Sequence, residues 1–458
     1  MRGLFSLLVI FSMFVNRSVS AQEIAEINVI GNKKTKLKII FRELTFTVGD
    51  TILPKDTANH TTNSENNLFN TSLFNFTTVH FKDTLGKWHV EVELQERWFV
   101  WPEVIIKFQD RNFSEWLKNK DLSRIDAGVH LNKFNFLGLN QTLQINGYLG
   151  FTEKFGFKYK VPYINKKLKD GLKIASNYST RNEIFTGVRN NEMIYLKNDS
   201  ASLYSRFNFQ FEYFRRKGFY QNQYFNAEFI QIKTQNELSN LSNHYIGQSD
   251  NLLRYGYLSY RYKLDKRFSQ NYPLKGFFFD VQLKQFGLNK IDNSNLSVTH
   301  LQSNYRYYKQ IKNRLYWASG IHIGQFMQNN VPFIFKNGLG FSNYVRGYEP
   351  YVIMGKTSSL IKNNFKIQLL KPKSYMLPFI KKIKKFSKIH FALYLNTYID
   401  AGYVFDNNPL SNDLINNFLI GGGTGLDWIT YYDVVIRTEY SANKMGEYNF
   451  NISFVAPI

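Results

Sequence analysis

The chain has 458 residues, with 58 Lys and Arg against 35 Asp and Glu, a formal net charge of +23, and no cysteine. The basic residues are spread along the chain beside over-used Asn, Ile, Phe and Tyr, a pattern of compositional drift that excludes nucleic acid as the expected partner. No disulfide staple is available, and the eight His show neither metal-ligand spacing nor a Ser-His-Asp constellation, so no enzyme, metal or cofactor is expected.

The chain begins with Arg2 ahead of "LFSLLVIFSMFV", about a dozen apolar residues, followed by the small-residue run "SVSA" ending at Ala21. Residues 1–21 are expected to be a cleaved signal peptide, because a membrane-spanning helix needs roughly twenty apolar residues.

Residues 22–97 make a different unit. "EIAEINVIGN" is a strand closed by a Gly-Asn turn, and "KTKLKIIFREL" sets Leu37, Ile40, Phe41 and Leu44 at helical spacing. After "VGDTI", a polar stretch leads to "ENNLFNTSLF", a second short helical pattern. The strands "FTTVHFKD" and "WHVEVELQER" follow, joined by the turn "TLGK". With "INVIGNKKT", "REL" before "VGD", "NTSLFN" and "VEVELQER", this β-α-α-β-β order resembles a POTRA domain. The resemblance implies a periplasmic module whose edge strand can pair with an extended client segment.

From 98 to 458 the sequence becomes repeated strands of about ten residues, joined alternately by short turns and longer polar loops. Roughly 360 residues at about 22 per strand and connection give about sixteen antiparallel strands. The expected fold is therefore an all-β membrane barrel behind a small N-terminal α+β domain. In "LIKNNFKIQLL", Ile361, Phe365, Ile367 and Leu369 oppose Lys362, Asn364, Lys366 and Gln368. In "YNFNISFVAPI", Tyr448, Phe450, Ile452 and Phe454 oppose Asn449, Asn451 and Ser453. An apolar exterior around a polar lumen produces both patterns, and the aromatic excess fits the two girdles of such a barrel. A soluble sandwich or propeller is the alternative.

The first strand, "VWPEVIIKF", should meet the last at a seam formed by Pro102, Phe450, Ile452 and Phe454. Pro102 and Pro457 each remove an amide donor there.

Counting back from the last strand puts "NGLGFSNYVRGYEPYVIMGKTS" on the extracellular side between the eleventh and twelfth strands. Its Val, Tyr, Ile and Met would form an exposed apolar patch, so the loop is expected to fold inward. Arg346 would then sit in a low-dielectric interior and need a hydrogen-bonded counter-charge. Parity in "YLNTYIDAGYVF" supplies one, because Tyr394, Asn396, Tyr398 and Asp400 share the face opposite Leu393, Leu395 and Ile399. On the following strand, "LIGGGTGLDW", Gly421, Gly423 and Gly425 form a stripe that either leaves room for the loop or relieves a tightly curved wall; both roles can coexist. His322 is expected to be a hydrogen-bonded wall residue. The basic turn at 370–388, with Lys381, Lys382, Lys384 and Lys385, could meet phospholipid phosphates or an acidic partner, or remain solvated.

"VRGY" at 345–348, "YIDAGYVF", "GGGTGLDW", "NFLGLNQTL" and "YPLKG" together resemble the superfamily of BamA, TamA, the two-partner secretion transporters and the organellar assembly barrels. The resemblance implies a loop latch of Arg346, Gly347 and Tyr348 on Asp400, and a bacterial outer-membrane barrel with its POTRA domain in the periplasm. Its implied partners are unfolded outer-membrane protein clients, periplasmic chaperones or lipoproteins, and the lipid bilayer. Assembly of clients through the seam is the expected function, with a dedicated secretion transporter or a passive channel as alternatives. Two features depart from the pattern: "GLGF" stands where a glycine pair is usual, and only one POTRA module fits.

Overall fold

The computed structural model describes residues 20–108, 116, 120–189, 192–198, 202–235, 251–288, 296–336, 338–376, 388–407, 412–430 and 434–453. Most of the signal-like segment, Phe454, Pro457 and the four lysines between 381 and 385 lie outside the described residues.

The N-terminal module is built from β1 (Gln22–Ile30), α1 (Leu37–Phe41), β2 (Thr51–Ile52), α2 (Thr57–Asn70), β3 (Phe74–Thr84) and β4 (Lys87–Glu96). Its strands are ordered β2-β1-β4-β3, with β1 parallel to β4 and both outer pairs antiparallel. Leu85 and Gly86 both adopt positive φ, which closes the β3–β4 hairpin with a twist matching its strands.

Two details differ from the sequence reading. A two-residue strand, β2, appears between the helices and pairs with the start of β1. The second helix begins well upstream of "ENNLFN", inside the polar stretch. That helix is polar even where buried: Ser64 Oγ accepts from the Thr45 amide at 3.1 Å, and Asn67 Nδ2 donates to the Glu43 carbonyl at 3.1 Å. Hydrogen bonding rather than apolar periodicity anchors its face, so the periodicity did not reveal it. On α1, Ile39 and Ile40 are buried, and Leu44 just beyond it is too, while Leu37 and Phe41, one turn apart on the same side, stay exposed.

The remaining strands are β5 (Val100–Phe108), β6 (Ile125–Phe136), β7 (Gln141–Gly150), β8 (Thr152–Val161), β9 (Asp170–Arg181), β10 (Glu183–Arg189) and β11 (Glu192–Lys197). They continue as β12 (Tyr204–Lys217), β13 (Gln221–Thr234), β14 (Leu252–Asp265), β15 (Gly276–Phe286), β16 (Val298–Lys312) and β17 (Leu315–Phe326). The last five are β18 (Thr357–Met376), β19 (Lys388–Phe405), β20 (Phe418–Ile429), β21 (Val435–Asn443) and β22 (Tyr448–Ser453). All except β10 and β11 join one antiparallel sheet of 16 strands in sequence order from β5 to β22. The β10–β11 hairpin stands apart, with Phe185 packed on Phe333 at 5.1 Å between ring centroids.

Period-2 alternation gives this sheet its two faces. On β18 the outward Ile361, Phe365, Ile367 and Leu369 are exposed, while Lys362, Asn364, Lys366 and Gln368 are buried in the interior. The same split sets exposed Tyr448 and Phe450 against buried Asn451 on β22. His322 faces the interior and shares hydrogen bonds with Asn304 at 2.8 Å and Asn343 at 3.2 Å.

Among the described residues no ladder joins β5 to β22. Both edges are unusually open, with Val104 84% and Tyr448 67% accessible, against 44% for Ile361 in mid-sheet.

The module seats on one rim of the barrel. Arg216, near the end of β12, forks onto Glu43 with Nη1 to Oε1 at 2.6 Å and Nη2 to Oε2 at 2.7 Å. The Arg42 Nε donates to the Leu168 carbonyl at 2.8 Å, and the Lys36 amide to the Gly138 carbonyl at 3.0 Å. Asn70 bonds the β14–β15 turn twice, at the Phe268 carbonyl and the Gln270 amide. Burial, followed by the neighbouring Arg216 charge, lowers the pKa of Arg42, and burial raises that of Tyr163 in the β8–β9 turn.

Candidate functional site

The loop between β17 and β18 enters the barrel and brings Arg346 into complete burial. Its guanidinium grips Asp400 of β19 through Nε to Oδ2 at 2.8 Å and Nη2 to Oδ1 at 2.6 Å, and its backbone amide reaches Oδ2 at 3.2 Å. Nη2 also donates to Asn364 Oδ1 of β18 at 2.8 Å, and Nη1 to Glu439 Oε1 of β21 at 3.3 Å. The guanidinium carbon lies 3.6 Å from the centre of the Tyr398 ring. A planar fork held bidentately and backed by an aromatic face is a geometry that Arg supports and Lys does not.

The rest of the motif extends this contact toward the barrel edge. Gly347 has φ +96°, and a Cβ there would come within 2.8 Å of the Ala442 carbonyl, so both conformation and space require glycine. Its own carbonyl accepts from Asn443 Nδ2 at 2.8 Å and Asn449 Nδ2 at 2.9 Å. Its amide donates to Glu349 Oε2 at 2.9 Å. Tyr348 is buried among Leu339, Val345, Leu360, Val404 and Leu419. Tyr351 donates its hydroxyl to Glu447 Oε1 at 2.6 Å. One loop thus touches the sheet from β18 to β22.

The loop's path through "GLGF" is an antiparallel bridge between Leu339 and Ile353, bonded at 2.8 Å in both directions. Gly338 and Gly340 flank this bridge. The glycine stripe divides by role. A Cβ on Gly421 would lie 1.9 Å from the Arg346 carbonyl oxygen, so this position admits the loop backbone. Gly423 and Gly425 would instead meet the carbonyls of Tyr440 and Thr438 on the adjacent strand, and Gly423 also makes room for the Tyr398 hydroxyl. At the seam, Pro102 lies on exposed β5, while Phe450 and Ile452 lie on β22.

A second contact, absent from the sequence reading, reaches the same wall from the module side. Tyr272, in the β14–β15 turn, donates to Asp427 Oδ2 on β20 at 2.7 Å. Asp427 is also forked by Arg437 of β21, with Nε to Oδ1 at 2.5 Å and Nη2 to Oδ2 at 2.8 Å, and Lys366 Nζ stands 3.7 Å away. Arg437 Nη1 lies 3.8 Å from Glu439 Oε1, which joins this group to the Arg346 site. The interior-facing alternation Arg437, Glu439, Ser441, Asn443 was available in the sequence and would have disclosed Glu439; nothing local marked Tyr272. Changing Tyr272 to Phe removes one hydrogen bond to a buried carboxylate. Heat-modifiable gel mobility of the refolded barrel should show a stability loss of about 1.5–3 kcal/mol; an unchanged transition would count against the contact.

No protein-family model matches the sequence, and no curated protein matches it. Solved structures do. BamA from Haemophilus ducreyi lacking POTRA domains 1-3 is 14% identical, covers 94% of this chain and 83% of its own, and has a TM-score of 0.53. CdiB from Escherichia coli is 12% identical, covers 95% of this chain and 74% of its own, and has a TM-score of 0.55. The chain, a sixteen-stranded membrane-type β-barrel with a small N-terminal α+β module, therefore has the fold of the BamA and CdiB structures.

Proposed function

We propose that this chain belongs to the BamA/TamA-type superfamily and inserts unfolded barrel proteins into the outer membrane from a periplasmic POTRA module through its lateral seam. The observation that carries this reading is that, among the described residues, the sheet runs from β5 to β22 with no ladder joining these two end strands. These end strands face one another across the seam, while the adjoining strands β18 to β22 are tied down by the inserted loop. A free strand edge is a template for another strand, so a client hairpin can add to β5 before it leaves into lipid.

The module offers a second edge. β3 is outermost in its sheet, with β4 as its ladder partner; Glu65 of α2 takes the Val79 amide on the outer side at 2.9 Å, and an extended segment would add along the rest of that edge. Backbone pairing tolerates many sequences, which suits a factor with many clients. Chaperones or lipoproteins would dock on the same module.

Reconstitution tests the reading. The chain in liposomes should insert an unfolded barrel client faster than protein-free liposomes do, and a disulfide engineered between β5 and β22 should stop this until reductant is added. The native chain has no cysteine to confuse the result. Equal insertion with and without the protein would favour a passive channel. Cellular depletion that removes one exported protein, and leaves many barrels intact, would favour a dedicated secretion transporter.

A further inference from the structure

The rim that carries the module also carries a band of exposed positive charge facing outward. Lys167 in the β8–β9 turn, Lys217 at the end of β12, Lys275 before β15 and Lys371 on β18 are all exposed, as are Lys309 and Lys312 at the end of β16. Residues 308–317, "YKQIKNRLYW", and 367–376, "IQLLKPKSYM", contain no Asp or Glu to neutralise it. Lys275, Lys309 and Lys312 line one shallow cleft of about 480 Å³, with Tyr308 and Ile311 in the same wall. Ile311 is itself exposed, an apolar side chain set among cations.

Register fixes the depth of this cleft. Lys309 pairs directly with Trp317 on β17, and Tyr307, two residues earlier on the same outward face, pairs with Phe277 on β15. The Tyr307 and Trp317 rings meet edge to face at 5.9 Å. Outward aromatic side chains of this kind mark the level where hydrocarbon gives way to headgroups. Lys309 stands at the outer edge of this layer, opposite Trp317, and Lys312 lies beyond it toward the turn, where headgroup phosphates are met. A turn that merely needed solubility would require neither the aromatic layer beneath nor an apolar side chain within the charge.

We infer that this rim binds anionic phospholipid, with the Lys275–Lys309–Lys312 cleft holding the headgroup phosphate and the Tyr307 and Trp317 rings lying against the acyl-glycerol region. Each basic group close to an anionic surface contributes about fivefold in affinity, so the three together contribute roughly a hundredfold. The inference rests on the outward face being lipid-facing and is independent of any client.

The test uses the full chain folded in neutral detergent, mixed with phosphatidylglycerol or phosphatidylcholine, with retained lipid counted by native mass spectrometry. Phosphatidylglycerol should be retained in preference to phosphatidylcholine. Retention should fall roughly a hundredfold in the triple variant Lys275→Gln, Lys309→Gln, Lys312→Gln and survive in the corresponding triple Arg variant. Heat-modifiable mobility establishes that each variant is folded, and a triple Gln variant that does not fold is replaced by the single Lys309→Gln, expected to lose about fivefold. Equal retention of the two lipids would overturn the proposal, as would undiminished binding in the folded Gln variant. Full displacement by millimolar inorganic phosphate would also overturn it, by reducing the cleft to a site for the free anion. No client is present, so failure of the insertion assay leaves this result standing and the reverse also holds.

Discussion

Arg346→Ala should lower the stability of the folded barrel by about 3 kcal/mol and abolish most client insertion. The change removes the nearest cation from two buried carboxylates, Asp400 and Glu439, leaving Glu439 only Arg437 at 3.8 Å, and uncompensated buried charge costs about 3–5 kcal/mol. The lower end applies because Lys362 remains 3.8 Å from Asp400 and recovers part of the lost pairing. Arg346→Lys should fall between wild type and Ala, because an ammonium keeps the charge but cannot fork onto Asp400 while also reaching Asn364. In the double variant Arg346→Ala, Asp400→Ala, the two losses should be less than additive, since one interaction is removed twice. The transition in heat-modifiable mobility reads stability and liposome insertion reads activity. An Arg346→Ala protein indistinguishable from wild type in both would refute the latch.

Gly421→Val should have an effect at least as large, by a different route. Its Cβ would start 1.9 Å from the Arg346 carbonyl oxygen, an impossible separation for non-bonded atoms. β20 cannot retreat, because it is hydrogen-bonded along its length to both β19 and β21. The loop must leave, taking with it the buried contacts of Val345 and Tyr348, and burying a side chain of this size contributes about 1.5–3 kcal/mol. Trypsin provides the readout. Arg346 is fully buried and should resist cleavage in the wild-type barrel, whereas the variant should yield a fragment ending at Arg346. Gly187→Ala, at a position with open space around it, serves as the control that should change nothing. Continued protection of Arg346 in Gly421→Val would show that the loop is not seated against that strand.

These two positions also show what the sequence could disclose. Side chains alternate strictly along a strand, so the apolar outside and polar inside of β18, and of Tyr448 to Asn451 on β22, were legible residue by residue. The same parity put Asp400 on the interior face, where the guanidinium of Arg346 lies. Parity says nothing about which strands become neighbours across the interior. Tyr272 and Asp427 are 155 residues apart in sequence, and only the curl of the sheet brings the β14–β15 turn against β20. Nor could parity divide the glycines, since Gly421, Gly423 and Gly425 share a face and differ only in what approaches them. In the module, α2 was hard to place because its buried positions include Ser64 and Asn67, which carry no apolar signal.

The docking of the module and the docking of the loop have a joint mechanical consequence. The module grips the turns of the first half of the barrel, at Gly138, Leu168 and Arg216, whereas the loop grips β18 to β22. The same loop also packs on the first half, where Phe333, Phe335, Val352 and Met354 meet Ile184, Ile230, Leu253 and Tyr255. The β14–β15 turn is likewise held by two partners, by Asn70 of the module and through Tyr272 by Asp427. The loop and this turn are therefore two cross-braces between the halves, and a force drawing β22 away from β5 would load both at once.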